Sequence, residues 1–150
     1  ICFLIVGEGS AKEKAQNLVE HYGLDNVKFQ PFVSREDYPA LVKDADVGLA
    51  CLNSKNKTPV YPGKIVGFMA SRIPVVAFMH KDSDGHQMIK EARCGSTTVS
   101  DDHREAADLV RKIYRERDRL RSYGENGFQY AAVHFSKDAS IDALEKLLLD

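Results

Sequence analysis

The residues best suited to bind an anion in this chain are Pro62, Gly63 and Lys64, which begin a predicted helix. The stretch from 60 to 78, VYPGKIVGFMASRIPVVAF, predicts a short loop, this helix and then a buried strand. The first amides of a helix have no partner within it and carry a partial positive charge, so they can bind a phosphate. Gly63 leaves these amides uncovered, and Lys64 adds a cation that is unfavourable there without an anion nearby. The pattern predicts a phosphate site, and the alternative is a surface lysine at an ordinary helix start.

Length, composition and charge are typical of one globular domain. The chain has 150 residues, of which 43% are hydrophobic and 29% charged, and these values allow a substantial core. Its formal net charge of −1 gives no reason to expect a nucleic-acid partner. The sequence begins inside an apolar run without methionine or signal peptide, and no stretch has the length of a transmembrane helix. We therefore expect an excised part of a longer protein.

The cysteines and the acidic residues near histidine both allow an ordinary interpretation. Cys2, Cys51 and Cys94 have no metal-ligand spacing, so we predict free thiols packed in the core of a cytoplasmic protein. Asp82 and Asp84, with the histidine that follows, could ligate a metal, but a loop with an aspartate cap is the favoured interpretation. We expect no metal and no cofactor.

Strands alternate with helices along the chain, which predicts an α/β fold with a doubly wound parallel sheet covered by helices on both faces. The apolar runs predict about five strands, at 1–7, 27–32, 47–52, 75–78 and 97–99. Helices are predicted at 10–22, 35–43, 62–71 and 86–92, and from 102 to the end with breaks near 123–124 and 136. The predicted core contains Leu4, Val6, Val47, Leu49, Val75 and Val76.

Capping patterns mark several of the predicted helix ends. Ser10 and Glu13 have the spacing of a capping box, and Gly23 follows the end of the same helix. Ser34 is expected to cap the next helix, and Ser136 the last one. The mixed-charge run RKIYRERDRLR within the C-terminal helices predicts a solvated face, with contact to anionic lipid as an alternative.

Ordered blocks of this chain resemble the C-terminal, nucleotide-sugar-binding domain of family 4 glycosyltransferases of the GT-B fold. FLIVGEG is similar to a family strand that ends in a Gly-acid-Gly turn, and GLDNVKFQPFVSREDYPALVKDADVGL is similar to the helix-strand-helix-strand block that follows. GFMASRIPVVAF resembles the E-A-M-A-x-G-x-P-V-V-A block, and ARCGSTTV and GENGFQYAAVHFS match the closing elements. The resemblance implies one Rossmann-like donor-binding domain over 1–150. It also implies that the acceptor domain and this domain's first strand and helix are absent, which leaves the strand order 2-1-3-4-5.

The resemblance implies a retaining transferase whose donor is a UDP- or GDP-linked sugar and whose acceptor is a glycan or a lipid-linked molecule. The amides of Gly63, Lys64 and Ile65, with the Lys64 ammonium as the catalytic group, would stabilise the leaving diphosphate. Further donor-binding candidates are Gly7, Gly9, Phe32, Val33, Gly85 and His86. A plain turn is the alternative for the first two, and core packing for Phe32 and Val33. The implied location is the cytoplasm, with peripheral contact to the inner face of the membrane.

Two positions depart from the family pattern. Many members carry paired glutamates at positions that correspond to Pro59 and Gly67 here, and neither residue can bind a hydroxyl through its side chain. The Pro-Gly-Lys helix start instead resembles a Pro-Ser-Lys branch found among bacterial polysaccharide and O-antigen transferases. The alternative is a non-catalytic doubly wound domain that binds a nucleotide or a protein.

Overall fold

The computed structural model describes residues 1–53, 55, 63–99 and 101–149, so Pro59 and Pro62 lie outside the described residues. The strands are β1 (Phe3–Val6), β2 (Val27–Gln30), β3 (Gly48–Cys51), β4 (Val75–Met79) and β5 (Gly95–Val99). The helices are α1 (Lys12–His21), α2 (Tyr38–Lys43), α3 (Gly63–Ala70), α4 (Gly85–Ala92), α5 (His103–Arg115), α6 (Leu120–His134) and α7 (Lys137–Leu149), with a 3-10 turn at Arg117–Arg119. The predicted α/β class with five strands and a helical C-terminus is confirmed.

All strand pairs are parallel, and they form two sheets. β1 pairs with β2, and β4 lies between β3 and β5 in a three-stranded sheet. The predicted order 2-1-3-4-5 holds within each sheet, but among the described residues β1 does not pair with β3. The chain divides into two compact units, 1–41 and 42–150, and each unit pairs only its own strands. The expected element at 62–71 is confirmed as α3, and it begins at Gly63.

Helices cover both faces of the three-stranded sheet, as predicted. Successive residues of a strand point to opposite faces. On one face Val75 and Ala77 pack with residues of α3, α4 and α6, and on the other Val76 packs with Ile113 of α5 and Tyr123 of α6. The buried core is therefore centred on β4.

The predicted core is only partly correct. Val75 and Val76 are buried, but Leu4 is 50% exposed and Leu49 is 38% exposed, while Val6 and Val47 are half-buried. The reason is strand position, because β4 has a neighbour on each side whereas β3 is an edge strand. An edge strand loses one flanking row of side chains, so an apolar residue there keeps contact with solvent.

The start of α1 differs from the prediction, whereas its end agrees. The helix begins at Lys12 after Ala11, and no side-chain hydrogen bond caps it, so the predicted Ser10 capping box is wrong. At the other end Gly23 has a φ of 60°, and its amide donates to the Glu20 carbonyl at 3.0 Å. The Leu24 amide donates to the Val19 carbonyl at 3.0 Å, which completes a Schellman motif.

Other predicted caps have mixed outcomes. The Ser34 hydroxyl accepts from the Asp37 amide at 3.1 Å, but α2 begins only at Tyr38. Asp84 precedes α4 without a side-chain cap, so that predicted cap is wrong. Asp102 caps α5 by accepting from the Arg104 and Glu105 amides at 2.8 and 3.0 Å, and these bonds lower the pKa of its carboxyl.

The predicted helix break near Tyr123 and Gly124 is wrong, because α6 continues through both residues. Its two glycines serve close packing instead. A Cβ on Gly124 would collide with the Arg72 carbonyl oxygen, and one on Gly127 would lie 3.0 Å from the Cys94 Cβ. The break near Ser136 is confirmed, since its hydroxyl accepts from the Ala139 amide at 3.1 Å at the start of α7.

The three cysteines are free, as predicted, but only Cys94 is in the core. Cys2 precedes β1, and Cys51 ends the edge strand β3, which leaves both exposed. Core packing was therefore the wrong expectation for these two. Burial raises the pKa of the Cys94 thiol to about 12.

In the folded protein at pH 8 we expect iodoacetamide to modify Cys2 readily and exposed Cys51 more slowly, since crowding raises the pKa of the Cys51 thiol, and to leave Cys94 unmodified. The thiolate is the reactive form, and a raised pKa leaves little of it at this pH while burial excludes the reagent. Mass spectrometry of the alkylated protein, with a sample alkylated in denaturant as control, measures the result. Rapid modification of Cys94 without denaturant, or a disulfide in the unreduced protein, would contradict the assignment.

Candidate functional site

The start of α3 combines exposed backbone with a firmly anchored helix. Gly63 and Lys64 are exposed, whereas Ile65 is fully buried and packs in the core around β4. Apart from its chain neighbours and the backbone of α3 itself, no described atom lies within 4 Å of the place where a Cβ on Gly63 would stand. The buried side chain of Ile65 thus anchors the helix, so only the backbone amide of this residue could meet a ligand. Gly63 and Lys64 leave the N-terminal amides of α3 open to solvent.

Lys64 has no hydrogen bond or ion pair with any described residue, and its side chain is exposed. Helix α3 contacts β3, whose last residue is Cys51. Crowding by protein atoms raises the pKa of the Cys51 thiol although the residue keeps exposed surface, and the charge of Lys64 partly offsets this rise. The lysine ammonium therefore acts at the carboxyl end of β3.

Gly85 and His86 begin α4 directly after β4. Gly85 is buried, and a Cβ there would lie 2.7 Å from the Met79 sulfur. The His86 Nε2 lies 3.0 Å from the His80 carbonyl oxygen, and its Nδ1 lies 2.8 Å from the Thr97 hydroxyl. Because a carbonyl can only accept, Nε2 carries a proton and donates it, and in the neutral ring Nδ1 accepts from Thr97.

The imidazole of His86 thus connects the end of β4, the start of α4 and strand β5. Both of its nitrogens have protein partners, so the side chain is suited to fixing the α4 start and not to meeting a ligand directly. The His80 carbonyl also accepts from the Ser83 amide at 3.0 Å, which closes the turn between β4 and α4. A donor contact by the backbone of Gly85 and His86 stays a prediction.

These two helix starts share one edge of the three-stranded sheet. In open parallel sheets ligands bind outside the carboxyl ends of the strands. The start of α3 carries its lysine at the end of β3, and α4 follows the end of β4, so the structure brings Gly63, Lys64, Gly85 and His86 to this edge.

The remaining candidates belong to the unit formed by residues 1–41. Gly7 follows β1 with a φ of 122°, a conformation that favours glycine, and the Gly9 carbonyl accepts from the Lys12 amide at 3.1 Å. Phe32 follows β2, which ends at Gln30, and it is 77% exposed, so core packing is the wrong interpretation for it. Val33 is half-buried. All four lie after the carboxyl ends of β1 and β2.

A family comparison identifies the class of protein. Residues 1–130 match the family described as glycosyl transferases group 1. The chain belongs to this family. The match covers both compact units and all five strands, and it ends within α6.

Relatives of this glycosyl transferase group 1 chain are transferases by name. A chitobiosyldiphosphodolichol beta-mannosyltransferase of Candida albicans is 30% identical over 134 residues, which are 86% of this chain and 28% of that protein. The mouse protein of the same name is 30% identical over 93 residues, 61% of this chain and 19% of that protein. The chain therefore spans less than a third of these relatives.

A solved structure has the same fold. The crystal structure of Anabaena HepE in complex with UDP-glucose superposes with a TM-score of 0.76 at 21% identity, over 99% of this chain and 41% of that one. This likeness identifies the present chain as the corresponding part of a GT-B glycosyltransferase fold.

Two features of the glycosyl transferase group 1 site were not found from the sequence. Thr97 fixes His86 from 11 residues away, and Cys51 lies within range of the Lys64 charge across the gap between β3 and α3. Both pairings join a helix to a strand and depend on how these elements pack, for which the sequence has no short signal. Within the described ranges, no group of three or more His, Cys, Asp or Glu side chains could hold a metal ion.

Proposed function

We propose that this chain is the donor-binding part of a retaining glycosyltransferase, which transfers a sugar from a nucleoside-diphosphate sugar to a glycan or lipid-linked acceptor. The observation that supports this most directly is Lys64, an exposed cation at a helix N-terminus and at the carboxyl end of β3. A cation is unfavourable at this end of a helix dipole. A bound diphosphate would remove that cost.

In the proposed reaction the bond between the sugar's anomeric carbon and the diphosphate oxygen breaks. The acceptor hydroxyl oxygen forms the new bond on the face of that carbon from which the diphosphate departs, so the configuration is retained. The diphosphate leaves with the bonding electrons, and one of its oxygens takes the hydroxyl proton. Negative charge grows on the diphosphate during this step. The amides of Gly63, Lys64 and Ile65 and the Lys64 ammonium are aimed at that charge and lower the barrier by electrostatic stabilisation. In this proposal these groups stabilise the charge on the leaving diphosphate without a metal ion.

The finer assignments belong to the same proposal. Family 4 membership rests on the ordered sequence blocks given above. The bacterial polysaccharide branch rests on the Pro62-Gly63-Lys64 pattern and on Gly67, which is exposed on α3. UDP is the donor nucleotide that HepE suggests, with GDP as the alternative. The dolichol-linked name of the Candida relative suggests a lipid-linked acceptor. A cytoplasmic site of action at the inner membrane face would suit such an acceptor. The non-catalytic alternative is less favoured, because the family consists of transferases.

One observation bears directly on whether the chain could cross a membrane. Among the residues that the structure describes, no helix is both long and apolar enough to cross a bilayer. Contact with lipid through a surface remains compatible with this finding.

We expect the full-length protein to be stabilised by one class of nucleotide sugar in a thermal-shift panel of UDP- and GDP-linked sugars. A ligand at a hundred times its Kd stabilises a folded protein by about 2.7 kcal/mol. Free sugars and nucleosides without phosphate serve as controls and should give no shift. An equal response to every compound, or no response to any nucleotide sugar or nucleoside diphosphate, would contradict the proposed function.

A further inference from the structure

Positive charge is concentrated in one short segment of this acidic chain. Residues 111–121 contain six of the chain's 21 Lys and Arg residues and only two of its 22 Asp and Glu residues. The segment therefore has a formal charge of +4, whereas the whole chain has −1 and the remaining residues have −5. Such asymmetry marks a surface that can attract a polyanion even though the chain as a whole would repel it.

Three of these six cations, at 111, 112 and 115, lie in α5, and all three are exposed. On the inner face of this helix Ile113 is buried against Val76, Leu109 packs beside it, and Glu105 accepts a hydrogen bond from Thr98 of β5 at 2.8 Å. Residues 104, 108, 111 and 115 recur at spacings of four and three, so they share the opposite face of the helix. The exposed side chains of this face, together with those of the turn that follows α5, form a surface that we call the basic ridge. Its residues are Arg104, Arg111, Lys112, Tyr114, Arg115 and Arg117.

Few acidic groups neutralise the basic ridge. Arg111 pairs with Asp108 at 2.8 Å, while the side chains of Lys112 and Arg115 make no hydrogen bond or ion pair with any described residue. The nearby Glu116 carboxylate is occupied by the Tyr123 hydroxyl at 2.6 Å. Favourable contact with the end of the helix dipole accounts for a cation in the last turn of α5. It does not account for Arg104 or for the cations that follow the helix.

An aromatic ring lies among these cations. Tyr114 is 53% exposed, and the Arg117 guanidinium carbon lies 5.3 Å from the centre of its ring. A tyrosine between arginines, pointing into solvent, suits the boundary between lipid headgroups and acyl chains, where amphipathic rings concentrate.

We propose that the basic ridge docks the enzyme on an anionic lipid surface. Clusters of four to eight Lys or Arg on a helix attract acidic lipid headgroups by charge. The choice of lipid over another polyanion rests on the proposed function, because a lipid-linked acceptor would be reached from the membrane surface. Attraction of this kind weakens as salt screens the charges.

The test measures sedimentation of the full-length protein with vesicles of phosphatidylcholine, with and without phosphatidylserine. We expect binding only with phosphatidylserine, and a decrease of at least about tenfold in the vesicle partition for Lys112→Gln/Arg115→Gln/Arg117→Gln. The matched control, Lys14→Gln/Lys28→Gln/Lys90→Gln, removes the same charge from exposed sites elsewhere and should change the partition less than about twofold. Arg115→Lys/Arg117→Lys keeps the charge and should retain binding.

The outcomes separate this proposal from the proposed function. Loss of vesicle binding in the ridge variant alone, with unchanged melting temperature, supports the basic ridge even if the nucleotide-sugar panel fails. Equal binding by the ridge variant and the unaltered protein overturns the basic ridge and leaves donor binding unaffected. Equal losses in both triple variants would show adsorption by net charge, and tighter binding to RNA than to vesicles would assign the surface to another polyanion; either result overturns the proposal.

Discussion

Replacing Lys64 by alanine in the full-length enzyme should lower turnover and nucleoside-diphosphate affinity by about ten- to a hundredfold. A hydrogen bond to a charged group is typically worth about 1.5–3 kcal/mol, and each 1.4 kcal/mol is a factor of ten. The lysine is exposed and has no described partner, so its removal should leave the melting temperature nearly unchanged. Transfer rate, KM for the donor and the Kd of the nucleoside diphosphate measure the effect.

Two further variants make this test specific. Gly63→Val places a β-branched side chain over the first amides of α3 and should weaken diphosphate binding while Lys64 remains. Lys90→Ala, which removes an exposed lysine from the last turn of α4, should leave rate and affinity unchanged. If Lys64→Ala retains normal affinity and rate, the diphosphate site lies elsewhere and Lys64 is a solvated surface residue.

Replacing Gly124 by alanine should lower the free energy of unfolding by about 2–3 kcal/mol, near the upper end of overpacking effects. The added Cβ would collide with the Arg72 carbonyl oxygen, which is backbone and cannot rotate away. Arg72 is also held in place, because its guanidinium lies 3.4 Å from the centre of the Phe128 ring and its Nε donates to Glu125 at 3.1 Å. Chemical denaturation of the full-length protein measures the change.

Gly67→Ala is the matched control for this prediction. Gly67 also lies inside a helix, α3, but apart from its chain neighbours and the backbone of that helix no described atom is within 4 Å of its Cβ position. Alanine is favoured over glycine by up to about 1 kcal/mol in a helix interior, so this variant should be neutral or more stable. Equal effects of the two substitutions would show that helix propensity, and not the contact with Arg72, sets the role of Gly124.

Local patterns in the sequence predicted the element types well and their ends less well. The buried character of β4 could be predicted because its residues form an unbroken apolar run, and the end of α1 because Gly23 marks a left-handed turn. The Ser10 cap failed because the capping pattern is also compatible with a turn that delays the helix until Lys12. The sequence wrongly predicted a helix break at Gly124, because the residue against which this glycine packs lies 52 positions away and leaves no local signal.

The candidate site shows the same division. That Gly63 and Lys64 begin a helix followed by a buried strand was determined by the sequence alone, because helix starts and apolar runs are encoded in neighbouring residues. Only the tertiary structure decided that Lys64 acts at the end of β3 beside Cys51, and that Thr97 and the His80 carbonyl occupy both nitrogens of His86. It also decided that Leu4 and Leu49 are exposed, since the position of a strand within its sheet depends on pairing between distant segments. Local chemistry specifies which element forms, whereas register and sheet order specify which side chains meet.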